Sequence, residues 1–191
     1  MGKYLVCITG ASGSIYGIST MRALINGGHE VHGIVSAWGS KVLEHETGKP
    51  FVSWMEELGL PKERVYDPED LGALPASGSF RLDAAIVVPC SMSSVGAIAS
   101  GISINLIHRA AEAALKEGRP LVLVPRETPL SLPSLRNLSS LAEAGAVILP
   151  ACPAFYHAPQ SLEDMIDFIV GKILDRLSIA HSLNTKWRGI E

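Results

Sequence analysis

Three short stretches of the 191-residue chain hold residues whose types and spacing suit an anion. In "TGASGSIYG" an apolar run gives way to small residues, with Gly10, Gly13 and Gly17 in a GxxGxxxG spacing. The dinucleotide signature GxGxxG is not matched. Nor does a carboxylate follow about 20 residues on to hold a ribose, because the second apolar run ends at Ser36. The physical core of the motif remains: a strand running into a helix start, whose free N–H groups and positive dipole end favour an anion, with Ser12 adding a hydroxyl. This suits a mononucleotide better than a dinucleotide. The competing reading is that Gly10 and Gly13 only permit a tight helix–strand contact. "PCSMSS" repeats the device and releases Ser91, Ser93 and Ser94 at another helix start, as caps or as phosphate donors. Ser36 and Ser40 add hydroxyls after the second run.

The third stretch, "VPRETP", puts Arg126 and Glu127 immediately beyond an apolar run and between prolines, a stiff support. Arg126 offers a planar fork for phosphate and Glu127 a carboxylate for proton transfer. Tyr156 in "AFYH" adds a phenol, while Lys116, Lys172 and Glu46 taken alone read as solvated helix residues. Together these groups exceed what one phosphate requires, which points to two phosphorylated ligands, or to a nucleotide and an anionic leaving group. No GxSxG elbow, Walker lysine or metal-ligand spacing occurs. Cys90 and Cys152 stand among apolar or proline neighbours, which argues for buried, inert thiols.

These residues need a frame that gathers them. Apolar runs at 3–9, 30–36, 82–89, 120–125 and 146–150 have strand length and are continuous, as in strands covered on both faces. Helical patterns at 13–27, 38–47, 104–117, 133–144 and 161–178 alternate with them. The order predicts an α/β fold with a doubly wound parallel sheet, read as one domain over 1–191. Segment 49–81 is an irregular excursion with one short helix at 51–58. In such a sheet the ligand lies outside the carboxyl ends of the strands, where the glycine turn, the serine loop and Arg126 all fall.

The composition is 47% hydrophobic with a mean hydropathy of +0.26, yet no run reaches the roughly 18 residues of a membrane span. So much apolar surface on a small domain favours a homo-oligomer. A net charge of −3 with scattered Lys and Arg argues against nucleic acid. Three distant cysteines suggest neither disulfides nor zinc. The start "MGKYLVCITG" has no signal-peptide pattern, which predicts a cytoplasmic protein.

"TGASGSIYG", "VVPCSMSS", "NLIHRAAEAALKEGRPLVLVPRETPL" and "GAVILPACPAFYHAPQSLEDMIDFIVGKILD" closely resemble the UbiX-type flavin prenyltransferases, also known as phenylacrylic or aromatic acid decarboxylases. The resemblance spans nearly the whole chain and is weakest over 49–81. It implies a Rossmann-like (flavodoxin-like) fold that binds flavin mononucleotide (FMN), and metal-independent transfer of a dimethylallyl group from dimethylallyl monophosphate to N5 and then C6 of the reduced flavin. The product, prenylated FMN, would serve a UbiD-type decarboxylase in ubiquinone biosynthesis or aromatic acid decarboxylation. By motif position, FMN would contact Gly10, Ala11, Ser12, Ser36, Ser91, Met92, Ser93, Ser94 and Arg126. Ser12 would lie near the reacting edge, with Glu46 and Glu127 handling protons. The prenyl phosphate would meet Lys116, Arg126, Tyr156 and Lys172, with the tail 179–191, including Trp187, folding over the substrate. Lys172 departs from relatives that carry Arg, which keeps the charge and loses the fork. The resemblance also implies a homododecamer in which loop 75–79 helps enclose a neighbour's prenyl group. Three other readings stand beside it: a flavin-dependent cysteine decarboxylase, for which His45 and Asn105 are poor matches, an aromatic acid decarboxylase, and a non-catalytic flavin carrier.

Overall fold

In the computed structural model, which describes residues 1–183, the apolar runs form one parallel sheet. The strands are β1 (Lys3–Ile8), β2 (Glu30–Val35), β3 (Val65–Tyr66), β4 (Ala84–Cys90), β5 (Leu121–Pro125) and β6 (Val147–Ile148), in spatial order β3-β2-β1-β4-β5-β6. This is a doubly wound order. Without the two-residue β3 it becomes the five-strand arrangement of flavodoxin-like proteins, so the Rossmann-like and flavodoxin-like descriptions meet here. Side chains alternate between two cores. Tyr4, Val6 and Ile8 of β1 face one with Ile86 and Val122; Leu5 and Cys7 face the other with Val87 and Leu123. Burial on both faces explains why the strands read as unbroken apolar runs.

The helices are α1 (Ser14–Asn26), α2 (Ala37–Thr47), α3 (Phe51–Leu58), α4 (Met92–Ala99), α5 (Leu106–Lys116), α6 (Leu132–Glu143) and α7 (Leu162–Arg176). α1, α3 and α7 cover one face through Ile18, Met21, Phe51, Trp54, Ile169 and Ile173. α4, α5 and α6 cover the other through Val95, Ile107, Ala111 and Leu138. The excursion is more ordered than its composition suggests. α3 buries Phe51, Trp54 and Leu58, and β3 pairs with β2 while Tyr66 donates to or accepts from His32 Nδ1 at 2.9 Å. A two-residue strand in a Pro- and Gly-rich context carries no periodicity, so sequence could not show it. α2 lies along the carboxyl edge: the Ser36 N–H donates to the Ile8 carbonyl at 3.0 Å, and Glu46 near the helix end reaches the start of α1.

Candidate active site

The strand order reverses between β1 and β4, and at that point stands Thr9, which opens the TGASGSIYG stretch. The buried Thr9 donates its hydroxyl to the Pro89 carbonyl (2.8 Å) and accepts from the Ser91 N–H (2.8 Å). Its own N–H donates to Pro89 as well (3.2 Å). One side chain thus ties the glycine turn to the serine loop across the switch point.

In the turn each glycine answers a separate steric demand. Gly13 has φ +95°, which side-chain-bearing residues rarely adopt, and caps α1. A Cβ at Gly17 would lie 2.6 Å from both Ile8 Cγ1 and the Val88 carbonyl oxygen, so the close contact of α1 with the strands belongs to Gly17, while Gly10 permits the approach of α2. At Gly10 a Cβ would meet that of Trp38 at 2.7 Å. The expected phosphate seat at the start of α1 is filled from within the chain. The Glu46 carboxylate accepts from the Gly13 N–H (3.0 and 3.1 Å), the Ser14 N–H (2.9 Å) and the Ser14 hydroxyl (2.6 Å). A fixed carboxylate satisfies the same free N–H groups that a phosphate would. Partial burial pushes the Glu46 pKa up, but hydrogen bonds from Ser12, Ser14 and the Gly13 and Ser14 amides outweigh it, and the net direction is down. A carboxyl held ionised in this way is a weak base, better suited to anchoring the turn than to carrying a proton. Sequence placed Glu46 on α2 but could not show which amides it meets.

Two further helix starts open onto the crevice. Ser36 caps α2 by accepting from the Gly39 N–H (3.0 Å), and Ser91 caps α4 by accepting from the Ser94 N–H (3.3 Å). The capping reading is therefore realised at both serines, while the first amides of each helix keep their donor capacity. Ser12 and Ser93 are exposed, Ala11 and Ser94 are buried, and Met92 packs on the core behind the loop. Arg126, just past β5, donates its Nε proton to the Ser12 carbonyl at 3.1 Å, its one hydrogen bond among the described residues. Glu127 is exposed and accepts from the Thr128 N–H at 3.1 Å.

The segment after β6 joins this edge where the Ala151 N–H donates to the Pro125 carbonyl (3.0 Å). Tyr156, half-exposed, meets the ring of Phe168 edge-on at 5.9 Å, and Lys172 Nζ lies 5.6 Å from the same ring. Tyr156 and Lys172 thus share one aromatic post on α7. Lys172, 3.7 Å from Asp175, also lines a groove of about 480 Å³ with Pro150, Cys152 and Ile148. Lys116 departs from expectation. It is exposed at the last residue of α5, which returns to the start of β5, so it stands at the sheet edge opposite Arg126. Cys90 is inert as expected, burial pushing its thiol up to about 12, but Cys152 is exposed rather than buried. Trp187 lies outside the described residues.

The frame and crevice define a flavin-binding type of α/β protein: a flavodoxin-like sheet with hydroxyls and free helix-start amides at the switch point. The Flavoprotein family model matches residues 2–174, and the chain belongs to that family. It is 44% identical over 191 residues to the flavin prenyltransferase UbiX of Aquifex aeolicus, covering 99% of this chain and 100% of that one. The crystal structure of AnUbiX (PadA1) in complex with FMN and dimethylallyl pyrophosphate superposes with a TM-score of 0.94 at 42% identity, covering 100% and 99% of the two chains. A dodecameric FMN-dependent UbiX-like decarboxylase from Escherichia coli O157:H7 superposes with a TM-score of 0.91 at 37% identity, covering 98% and 100%.

Proposed function

We propose that the chain is a flavin prenyltransferase, which transfers the dimethylallyl group of dimethylallyl monophosphate to N5 and then C6 of reduced FMN. The observation that carries this is similarity above 40% identity along the full length to proteins of that activity, on a fold with a polar crevice at the switch point. The crevice fits FMN. Gly10, Ala11, Ser12, Ser36, Ser91, Met92, Ser93, Ser94 and Arg126 contact the flavin, with the N–H groups at the starts of α2 and α4 offered to its phosphate and Ser12 near the reacting edge.

When bound, reduced flavin supplies the nucleophile, which the protein's own side chains do not. The task left to the chain is electrostatic. As the allylic C–O bond breaks, its electron pair leaves with the phosphate, and Arg126, Tyr156 and Lys172 stabilise the negative charge that builds on it. Closure at C6 requires loss of a ring proton, taken by the released phosphate or by Glu127. Lys116 takes part only from a second copy of the chain, because its own α5 places it at the other sheet edge. This reading is supported by the dodecameric assembly of the Escherichia coli relative. The product serves a UbiD-type decarboxylase.

The deciding experiment is anaerobic. Protein, reduced FMN and dimethylallyl monophosphate are mixed and the flavin is weighed after denaturation. A gain of one C5 unit is expected. Unchanged FMN recovered with intact donor would overturn the transferase reading.

A further inference from the structure

We infer that Arg119 is a positioning residue for the loop Ser77–Ser79, which its guanidinium fastens to the end of α5 beside Lys116. The inference rests on the reading that this end of α5 is offered to the donor site of a second copy. Lys116 stands at the sheet edge opposite Arg126, and the loop next to it is equally remote from the crevice of its own chain.

The loop is rooted at both ends, but its tip is attached to the body of the protein by one side chain. Pro75 is buried, and Phe80 packs on the core of Leu5 and Val87 with its ring edge-on to His32 at 5.1 Å. Between these roots Ser77 and Ser79 are exposed. The Ser77 N–H donates to the Leu74 carbonyl (3.1 Å), the Phe80 N–H to the Ser77 carbonyl (3.1 Å) and the Ser79 N–H to Ser77 Oγ (3.2 Å), all within the segment. From outside the segment, among the described residues, the hydrogen bonds come from Arg119. Its Nη2 donates to the Gly78 carbonyl (2.5 Å) and its Nη1 to the Phe80 carbonyl (2.7 Å). These carbonyls stand two residues apart, and a planar fork spans them where the point charge of a lysine cannot. In a trans peptide the C=O and N–H point opposite ways, so each bond also sets the direction of a peptide plane in the loop. Arg119 is itself fixed relative to Lys116. Its N–H donates to the Ala114 carbonyl (2.9 Å), and the N–H of Gly118, at φ +64°, to that of Leu115 (3.0 Å), which closes α5. The Glu117 side chain lies against Gly78, where a Cβ would overlap its carboxylate.

A tip held in place before the donor arrives needs no ordering when it binds. Once released, the tip is competent for only part of the time, and apparent donor affinity falls by that fraction. The test compares Arg119→Ala and Arg119→Lys with the unaltered protein, varying dimethylallyl monophosphate at saturating reduced FMN and titrating FMN separately. For Arg119→Ala the KM for dimethylallyl monophosphate should rise about tenfold, as for the loss of charge-assisted hydrogen bonds, with kcat changed by less than about threefold. FMN affinity should stay within about twofold, because the flavin contacts of each chain lie at its other sheet edge. General damage to the fold would instead weaken FMN binding and lower kcat together. Arg119→Lys keeps the charge but reaches one carbonyl at a time, so it should recover little of the KM. A parental KM in either variant, or FMN affinity lost in step with donor affinity, would overturn the inference. If Arg119→Ala does not fold, Arg119→Lys decides the same point. Hydrogen exchange gives a readout independent of catalysis: amides 77–81 should exchange about tenfold faster in Arg119→Lys. Unchanged exchange would sink the proposal. Failure of the unaltered protein to transfer the prenyl group would defeat the functional reading, while exchange would still decide whether Arg119 holds the loop.

Discussion

Thr9 shows how much a single buried hydroxyl can organise. Replacing it by Val keeps the volume and removes both the acceptor for the Ser91 N–H and the donor to Pro89. Destabilisation of about 1–3 kcal/mol is expected from the donor left buried and unpaired, read from the denaturant midpoint. FMN affinity should fall with it, because the serine loop loses its tie to the glycine turn. Glu127 has the opposite character: exposed and lightly held, it can move a proton without disturbing the fold. Glu127→Gln should leave stability and the N5 alkylation rate within twofold and slow the closure at C6, as followed by flavin absorbance in single turnovers. Equal rates for both steps would remove it from proton transfer. Sequence singled out Glu127, Arg126 and the serines because rare residue types stood directly after apolar runs. It passed over Thr9 because a threonine ending a strand is commonplace, and its two partners come from about 80 residues further along the chain.

At the scale of elements, the anchoring of α1 by Glu46 makes the carboxyl edge sensitive to acid. Its folded pKa lies below the ordinary carboxylate value, so its contribution to stability is complete above that value and is lost as pH falls through the folded pKa. In melts between pH 7 and pH 3, the unaltered chain should therefore converge on Glu46→Gln as acid is added. A constant gap between the two would refute the anchor. Gly17→Ala should destabilise by about 1–3 kcal/mol through overpacking, since α1 cannot withdraw from Ile8 and the Val88 carbonyl without opening the core. The alternation of strands and helices was legible because burial on both sheet faces writes itself as continuous apolar runs. The short α4 was visible only as a helix start at Ser91, and β3 was not visible, because two residues carry no period. The start of α1 looked like a phosphate site because sequence shows which amides are free but not which distant carboxylate reaches them. Asn105, weighed against the substrate asparagine of cysteine decarboxylases, proves to be the cap of α5.

Across the whole molecule, apolar side chains remain uncovered in groups. Leu71, Leu74, Ile102 and Ile104 are exposed where the excursion meets the start of α5, and Leu130, Leu132 and Leu135 just before and along the first turn of α6. Surface of this kind suits contact between copies, in keeping with the assembly of the Escherichia coli relative. Among the described residues no helix is long and apolar enough to cross a membrane.

The position of Lys116 has a genetic corollary. If every site draws Lys116 from one copy and Arg126 from another, two defective chains can repair each other. Lys116→Ala and Arg126→Ala should each be nearly inactive as pure assemblies. Produced together in equal amounts, they should recover up to about a quarter of parental activity, because that share of sites receives both intact residues. A single chain that supplied both groups to its own site would show no such complementation.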